Sequence, residues 1–254
     1  MILEQSLRAG VGHIGSALSI ADVLYVLYFR VLRMASPEDP SRDFFILSKG
    51  HAALAQYAAL HLKEWISSAE LHSYCADNSH FGVHPERQVA GVEFSTGSLG
   101  QGLAMGAGAA LAARLKGIDR RVFVLISDAE CNEGAVWETA MFARHHQLSN
   151  LIVLIDENGQ QAMGRTQDVV NLSPLAERWR SFGWDVSEED AHNVESLTAR
   201  LQSLETRSGA PHVVVCHAIF GKGVSFMEGK LEWHYLPMND AQYAQALQEV
   251  QNSK

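Results

Sequence analysis

A chain of 254 residues can form one large α/β domain or two small ones, and its 47% hydrophobic content is enough for a sizeable core. Charged residues make up only 19%, which excludes a disordered chain, and a net charge of −9 with no clustered Lys/Arg run excludes nucleic acid or anionic membrane as a principal partner. The first notable segment is the glycine-rich turn Gly10-Val11-Gly12-His13-Ile14-Gly15-Ser16. After it, Ser19 reads as the N-cap of an apolar helix over about Ile20–Leu32, with Asp22 in its first turn.

A Pro- and Asp-rich loop at Ser36–Asp43 leads to a short apolar strand, Phe44–Leu47, that stops at Ser48-Lys49-Gly50-His51 before another buried helix. Tyr74–Gln88 is polar and loop-like and carries Gly82-Val83-His84-Pro85. Ser95-Thr96-Gly97-Ser98-Leu99-Gly100-Gln101-Gly102 opens an Ala- and Gly-rich helix near Gln101–Leu115. A glycine-rich approach to a helix N-terminus is a general way to present N–H groups to an anion.

Two β-branched runs apolar on both faces, Arg121–Ile126 and Leu151–Ile155, read as central strands of a parallel sheet, joined by a helix near Glu133–Gln147. They end in Ser127-Asp128-Ala129-Glu130 and Asp156-Glu157-Asn158-Gly159-Gln160. Asp128 and Asn158 are therefore expected just past the carboxyl ends of neighbouring strands, where open α/β sheets bind ligands. A carboxylate, an amide oxygen and a main-chain carbonyl suit a hard octahedral cation such as Mg2+. Taken alone, Asp128 as a helix cap and Asn158 as a turn residue would be the plainer reading.

Further on, Pro174–Gly183 reads as a helix, Trp184–Val186 as a strand, residues 193–206 as a helix, His212–His217 as a buried strand and Asn239–Asn252 as a helix. The alternation predicts an α/β fold with a parallel sheet flanked by helices on both faces, as a single domain over residues 1–254. Cys75, Cys131 and Cys216 are odd in number and lack metal-ligand spacing, so no disulfide framework or structural zinc is expected. With no leader segment and no apolar stretch near the ~20 residues that span a bilayer, no membrane role is expected and a cytoplasmic location is.

Asp128-x-Glu130-x-x-Glu133-Gly134-x-x-Trp137-Glu138 followed by Asp156-x-Asn158-Gly159 resembles the thiamine diphosphate motif of transketolases. The resemblance extends to Gly12-His13-Ile14-Gly15-Ser16, to Leu47-Ser48-Lys49-Gly50-His51, to the octapeptide from Ser95 and to Gly221-Lys222-Gly223 with Glu232-Trp233-His234, almost the whole chain. It implies the thiamine diphosphate-binding fold and Mg2+ held by Asp128, Asn158 and the carbonyl of Gln160. It also implies His51, Gly97, Leu99, Asp128, Ala129, Glu130, Glu133 and Asn158 as cofactor-binding, and His13, His51, His84 and His234 as catalytic residues. Each of those histidines alone would more simply be a loop, cap or packing residue.

Three departures stand out. Ser127 and Ala129 flank Asp128 where the family has glycines, which requires φ < 0 at both positions or a slight shift of the loop. Val83 separates Gly82 from His84. Phe220, Tyr235-Leu236 and Ala162 replace residues that would place positive charge and bulk near the mouth, which predicts weaker binding of phosphorylated donors.

The family's pyrimidine-binding domain, which carries the activating glutamate, has no counterpart in this sequence. The resemblance is thus to the N-terminal subunit of a split transketolase. It implies a C-terminal partner subunit in an α2β2 assembly, sugar or sugar phosphate substrates, and transfer of a two-carbon ketol unit from a ketose to an aldehyde. A 2-oxo acid decarboxylase or dehydrogenase subunit, and a non-catalytic cofactor-binding partner, are the alternatives.

Overall fold

In the computed structural model, which describes residues 1–252, a five-stranded parallel sheet is covered on both faces by helices. The chain begins with α1 (Ile2–Ala9), α2 (Ile14–Ser19) and α3 (Ala21–Val26), the last running on through a wide turn at Leu27–Val31. Then come β1 (Phe44–Leu47), α4 (Ala53–Leu62), α5 (Ser68–His72), α6 (Gln101–Leu115), β2 (Val122–Ser127), α7 (Gly134–His145) and β3 (Leu151–Glu157). A two-strand hairpin, β4 (Gln160–Gln161) with β5 (Gly164–Arg165), and the short α8 (Thr166–Val169) follow. The chain continues through α9 (Leu175–Ser181), β6 (Asp185–Asp190), α10 (Val194–Gln202), β7 (His212–His217) and α11 (Asp240–Asn252).

Strand order is β1-β2-β3-β7-β6, with β2 and β3 in the register Val122↔Leu151 through Ser127↔Asp156. Side chains alternate between two layers, as strand geometry requires. Phe123, Leu125, Ile152 and Leu154 pack with α3, α4 and α10, whereas Val122, Val124, Leu151 and Val153 pack with α6, α7 and α9. All six residues of β2 are buried, which explains their uniformly apolar composition up to Ser127. A smaller third cluster, with Ile14, Phe220, Val224, Met227 and Trp233, seats the chain after β7 against α2. Among the described residues no helix is long and apolar enough to cross a membrane.

Two predicted boundaries are corrected. The helix expected from Ile20 begins at Ala21 and is preceded by the separate α2, the two meeting at Ile20 (φ −107°, ψ 5°), so Ser19 closes α2 rather than capping α3. The strand expected at Trp184–Val186 extends through Asp190. It lies at the sheet edge with one neighbour, where exposed acidic side chains are tolerated and no apolar run announces it. The small α5, the β4–β5 hairpin and α8 went unread, although Ser67 and Glu70 form a capping box ahead of α5.

Candidate active site

The carboxyl ends of β1, β2 and β3 open onto one cavity of about 480 Å3, within the range of small-molecule sites. His13, His51, His84 and His234 all border it, as do Gly97, Leu99, Ala129 and Glu133, and Asn158 and Gln160 complete that wall. Residues from positions 13 to 234 are thus brought to one place by parallel strands that all end on the same side.

His13 occupies the left-handed region (φ 63°, ψ 13°) at the N-cap of α2, a conformation unusual for a residue with a side chain. Its N–H donates to the carbonyl of His234 at 3.2 Å. The rings of His13, His51 and His234 form a triangle, with centroids 5.3 Å (His13–His51), 5.0 Å (His13–His234) and 5.3 Å (His51–His234) apart. Burial lowers the pKa of all three, followed by neighbouring positive groups: His84 and Lys49 for His13, and Lys49 and the other histidines for His51. For His234, burial, then His13 and Lys49, bring the value down to about 4. All three rings are neutral near pH 7 and can donate at one nitrogen and accept at the other. The Nδ1 of His13 is buried without a hydrogen-bond partner.

His84 stands apart from the triangle. Its ring rests over Gly97 (φ 148°), where an added Cβ would lie 2.9 Å from the imidazole Cδ2, and Tyr57 Oη donates to its carbonyl at 2.9 Å. The extra Val83 therefore leaves His84 at the cavity wall.

Asp128 is 7% exposed. Its Oδ1 accepts the Ala129 N–H at 2.9 Å and its Oδ2 the Gly159 N–H at 2.9 Å, and no cationic side chain pairs with it among the described residues. Burial, and then the charge of Asp156, raise its pKa to about 7. A buried carboxylate without a counter-cation, next to an amide and a turn carbonyl, is suited to a cation. The described residues contain no group of three or more His, Cys, Asp or Glu that could hold a metal, so water and ligand oxygens would complete the shell. Ser127 and Ala129 are absent from the positive-φ residues, so the loop accepts both side chains without strain. Ser127 Oγ also accepts the Glu130 N–H at 3.2 Å.

Two sequence-based assignments change. Glu130 does not border the cavity; it is fully buried, and its carboxylate accepts the Ser48 hydroxyl at 2.6 Å, the Gly100 N–H at 2.9 Å and the Ser127 N–H at 3.0 Å. It joins three site loops instead of facing a ligand. Phe220, expected near the mouth, is 2% exposed, stacked below His234 at 6.3 Å between centroids and filling the space that a Cβ on Gly15 would need. The side chain at position 220 is thus rooted beneath His234 and not at the mouth.

Sequence reasoning also missed Lys49 and Asp156. Lys49 Nζ forms a fully buried ion pair with Asp156 Oδ2, and Ser19 Oγ donates to Asp156 Oδ1 at 2.7 Å. An ionisable residue at or just past the end of each apolar run was the available signal.

Known proteins resemble this chain in sequence and in fold. The chain matches the family described as "Transketolase, thiamine diphosphate binding domain" over residues 2–251. It is 38% identical over 98% of its length to an apulose-4-phosphate transketolase subunit of Phocaeicola vulgatus, covering 89% of that protein. It is 37% identical over 99% of its length to the 6-deoxy-6-sulfo-D-fructose transketolase subunit SqwG of a Clostridium species, covering 92% of it. The crystal structure of transketolase from Campylobacter jejuni superposes with a TM-score of 0.91 at 28% identity over 98% of this chain. The chain spans 41% of that longer enzyme. It belongs to the transketolase family, as the thiamine diphosphate-binding domain.

Proposed function

We propose that residues 1–254 form the diphosphate-holding subunit of a two-component transketolase, working in the cytoplasm with a C-terminal partner in an α2β2 assembly. The observation that carries this reading is the convergence of three neutral, mutually contacting histidines on one cavity, with the unpaired buried carboxylate of Asp128 on an adjoining one and Asn158 lining both. The names of the two subunit relatives support the division of labour, and their near-full coverage supports it further.

Bound in this cavity, thiamine diphosphate supplies the carbon nucleophile and electron sink for moving a two-carbon ketol unit. Asp128, the amide oxygen of Asn158 and the carbonyl of Gln160 would hold Mg2+ against the diphosphate. Ala129 would meet the diphosphate through its backbone. Gly97 and Leu99 would lie along the aminopyrimidine, and exposed Glu133 at the junction with the partner. His51 would sit beside the reacting ring, while His13, His84 and His234 would bind donor hydroxyls and move protons, work suited to imidazoles that are neutral near pH 7.

Donor recognition divides between the two components. Lys49 is the cation on the wall built by this chain, and it is already paired with Asp156. An anionic tail such as those in the names of the two relatives would then be read by the partner. Exposed Met105, Met141 and Phe142 on α6 and α7 offer an apolar face for docking.

The test is to purify this chain and measure ketol transfer with Mg2+ and cofactor saturating, before and after adding the partner. Activity is expected only in the mixture. Turnover by the chain alone, or decarboxylation of 2-oxo acids without ketol transfer, would refute the reading.

A further inference from the structure

Asp156 does not border the cavity, yet the segments that do are tied together through it. It is 1% exposed and terminates the buried part of β3. Its Oδ1 accepts the Ser19 hydroxyl at 2.7 Å; its Oδ2 accepts the Lys49 ammonium and the Asn158 Nδ2 amide, the latter at 2.7 Å. Its main-chain carbonyl accepts the Asp128 N–H at 3.2 Å. These donors come from the end of α2, the loop after β1, the loop after β3 and the end of β2.

The effect on Asn158 is one of orientation. The two ends of a carboxamide are almost equal in size, so their partners decide which faces where. Nδ2 is directed at Asp156 Oδ2 and, at 3.3 Å, at Ser19 Oγ. Oδ1 is left on the opposite side, where it accepts the Gln160 N–H at 3.0 Å and keeps acceptor capacity. A flipped amide would set oxygen against the Asp156 carboxylate and NH2 against the Gln160 N–H, two repulsive contacts. Lys49 supplies the counter-charge that lets a carboxylate remain buried at this point.

We propose that Asp156, held in place by Lys49 and Ser19, is a positioning residue that fixes the Asn158 amide with its oxygen toward the cation of the bound cofactor. The inference rests on the cofactor reading above. It assigns the buried Lys49–Asp156 pair a role in metal affinity, in addition to joining β1 to β3. Groups that orient metal ligands from behind commonly change affinity by about 10–100-fold when lost.

Two double variants of the full chain separate orientation from charge. Lys49→Met with Asp156→Asn removes both charges but keeps an acceptor oxygen at position 156. Lys49→Met with Asp156→Leu removes both charges and the acceptor. Neither leaves a buried unpaired ion, which is the main reason a single deletion would fail to fold. The readout is the Mn2+ concentration that half-saturates the chain assembled with its partner in excess thiamine diphosphate, followed by the electron paramagnetic resonance of free Mn2+, with Tm of the chain measured without metal.

The Leu variant is expected to need about 10–100-fold more Mn2+ than wild type, and the Asn variant to stay near wild type. Should the Leu variant not fold, Ser19→Ala provides the second reading, with a smaller rise in the Mn2+ requirement at unchanged Tm. An equal Mn2+ requirement in the Leu and Asn variants, or an unchanged one in Ser19→Ala, overturns the inference alone. Wild-type chain that takes up no Mn2+ with thiamine diphosphate even when assembled with its partner overturns the cofactor reading and the inference together.

Discussion

The carboxylate of Glu130 accepts the hydroxyl of Ser48 at 2.6 Å across 82 positions of sequence, and the same carboxylate takes the N–H groups of Gly100 and Ser127. Glu130→Ala should therefore leave two buried N–H donors unpaired, at about 1–3 kcal/mol each. Chemical denaturation is expected to show that loss, and thiamine diphosphate affinity should fall with it, because the loops at Ser48, Gly100 and Ser127 lose their common partner. A variant as stable as wild type would refute the tie.

Asp128→Ala should abolish Mg2+-dependent retention of thiamine diphosphate in the assembled enzyme. It removes the one charged side chain of the proposed ligand set, and a divalent cation beside a diphosphate depends strongly on that charge. Asn158→Ala should weaken retention less, since a neutral ligand can be replaced by water. Equilibrium dialysis with and without Mg2+ checks both, and unchanged affinity in Asp128→Ala would remove the metal assignment.

Two glycines on α6 should respond oppositely to the same substitution. An added Cβ at Gly102 would lie 2.8 Å from Ser48 Cα, whereas Gly108 has nothing within 4 Å. Gly102→Ala should destabilise by about 1–3 kcal/mol through overpacking against the loop after β1. Gly108→Ala should stabilise the isolated chain by roughly 0.5–1 kcal/mol, because glycine loses more backbone freedom than alanine in a helix. Thermal melting of the two variants decides it; if Gly108 lies under the partner, its variant will also weaken assembly.

The pH dependence of stability has a definite sign at His234. An unfolded histidine takes up its proton near pH 6.5. The folded one, desolvated and near His13 and Lys49, waits until about 4. Between those values the unfolded state binds more protons, so the His234 contribution is complete above about 6.5 and is lost as pH falls toward 4. Asp128 acts in the opposite direction over much of this window, its folded pKa being raised to about 7. Comparison with His234→Gln isolates the histidine: the Tm advantage of wild type over the variant should shrink between pH 7 and pH 4.5. A difference that does not change with pH would mean that His234 is solvated.

The central strands were legible because burial on both faces keeps β1, β2, β3 and, after His212, β7 apolar until the polar groups at Ser48, Ser127, Asp156 and His217. The edge strand β6 was only partly legible for the complementary reason. Each histidine could be marked from its motif, but the triangle of His13, His51 and His234 exists only after α2, β1 and the chain beyond β7 meet. Long-range polar partners were the hidden part. Nothing local shows that the carboxylate of Glu130 turns away from the cavity, or that Lys49 finds Asp156 across 107 positions. Phe220 was misplaced for a similar cause, since an aromatic beside a glycine turn reads equally well as rim or as floor.

The exposed apolar side chains that line the cavity, Met163 and Val170, and those that follow His234 also bear on how the polypeptide behaves during production. Met163 is 77% exposed, Val170 51% and Leu236 52%, near half-exposed Tyr235. Such surface is adhesive between copies, and a net charge of −9 only partly opposes that. Expressed without its partner, the protein should show concentration-dependent self-association at moderate salt, and co-expression should raise its recovery from the cleared lysate.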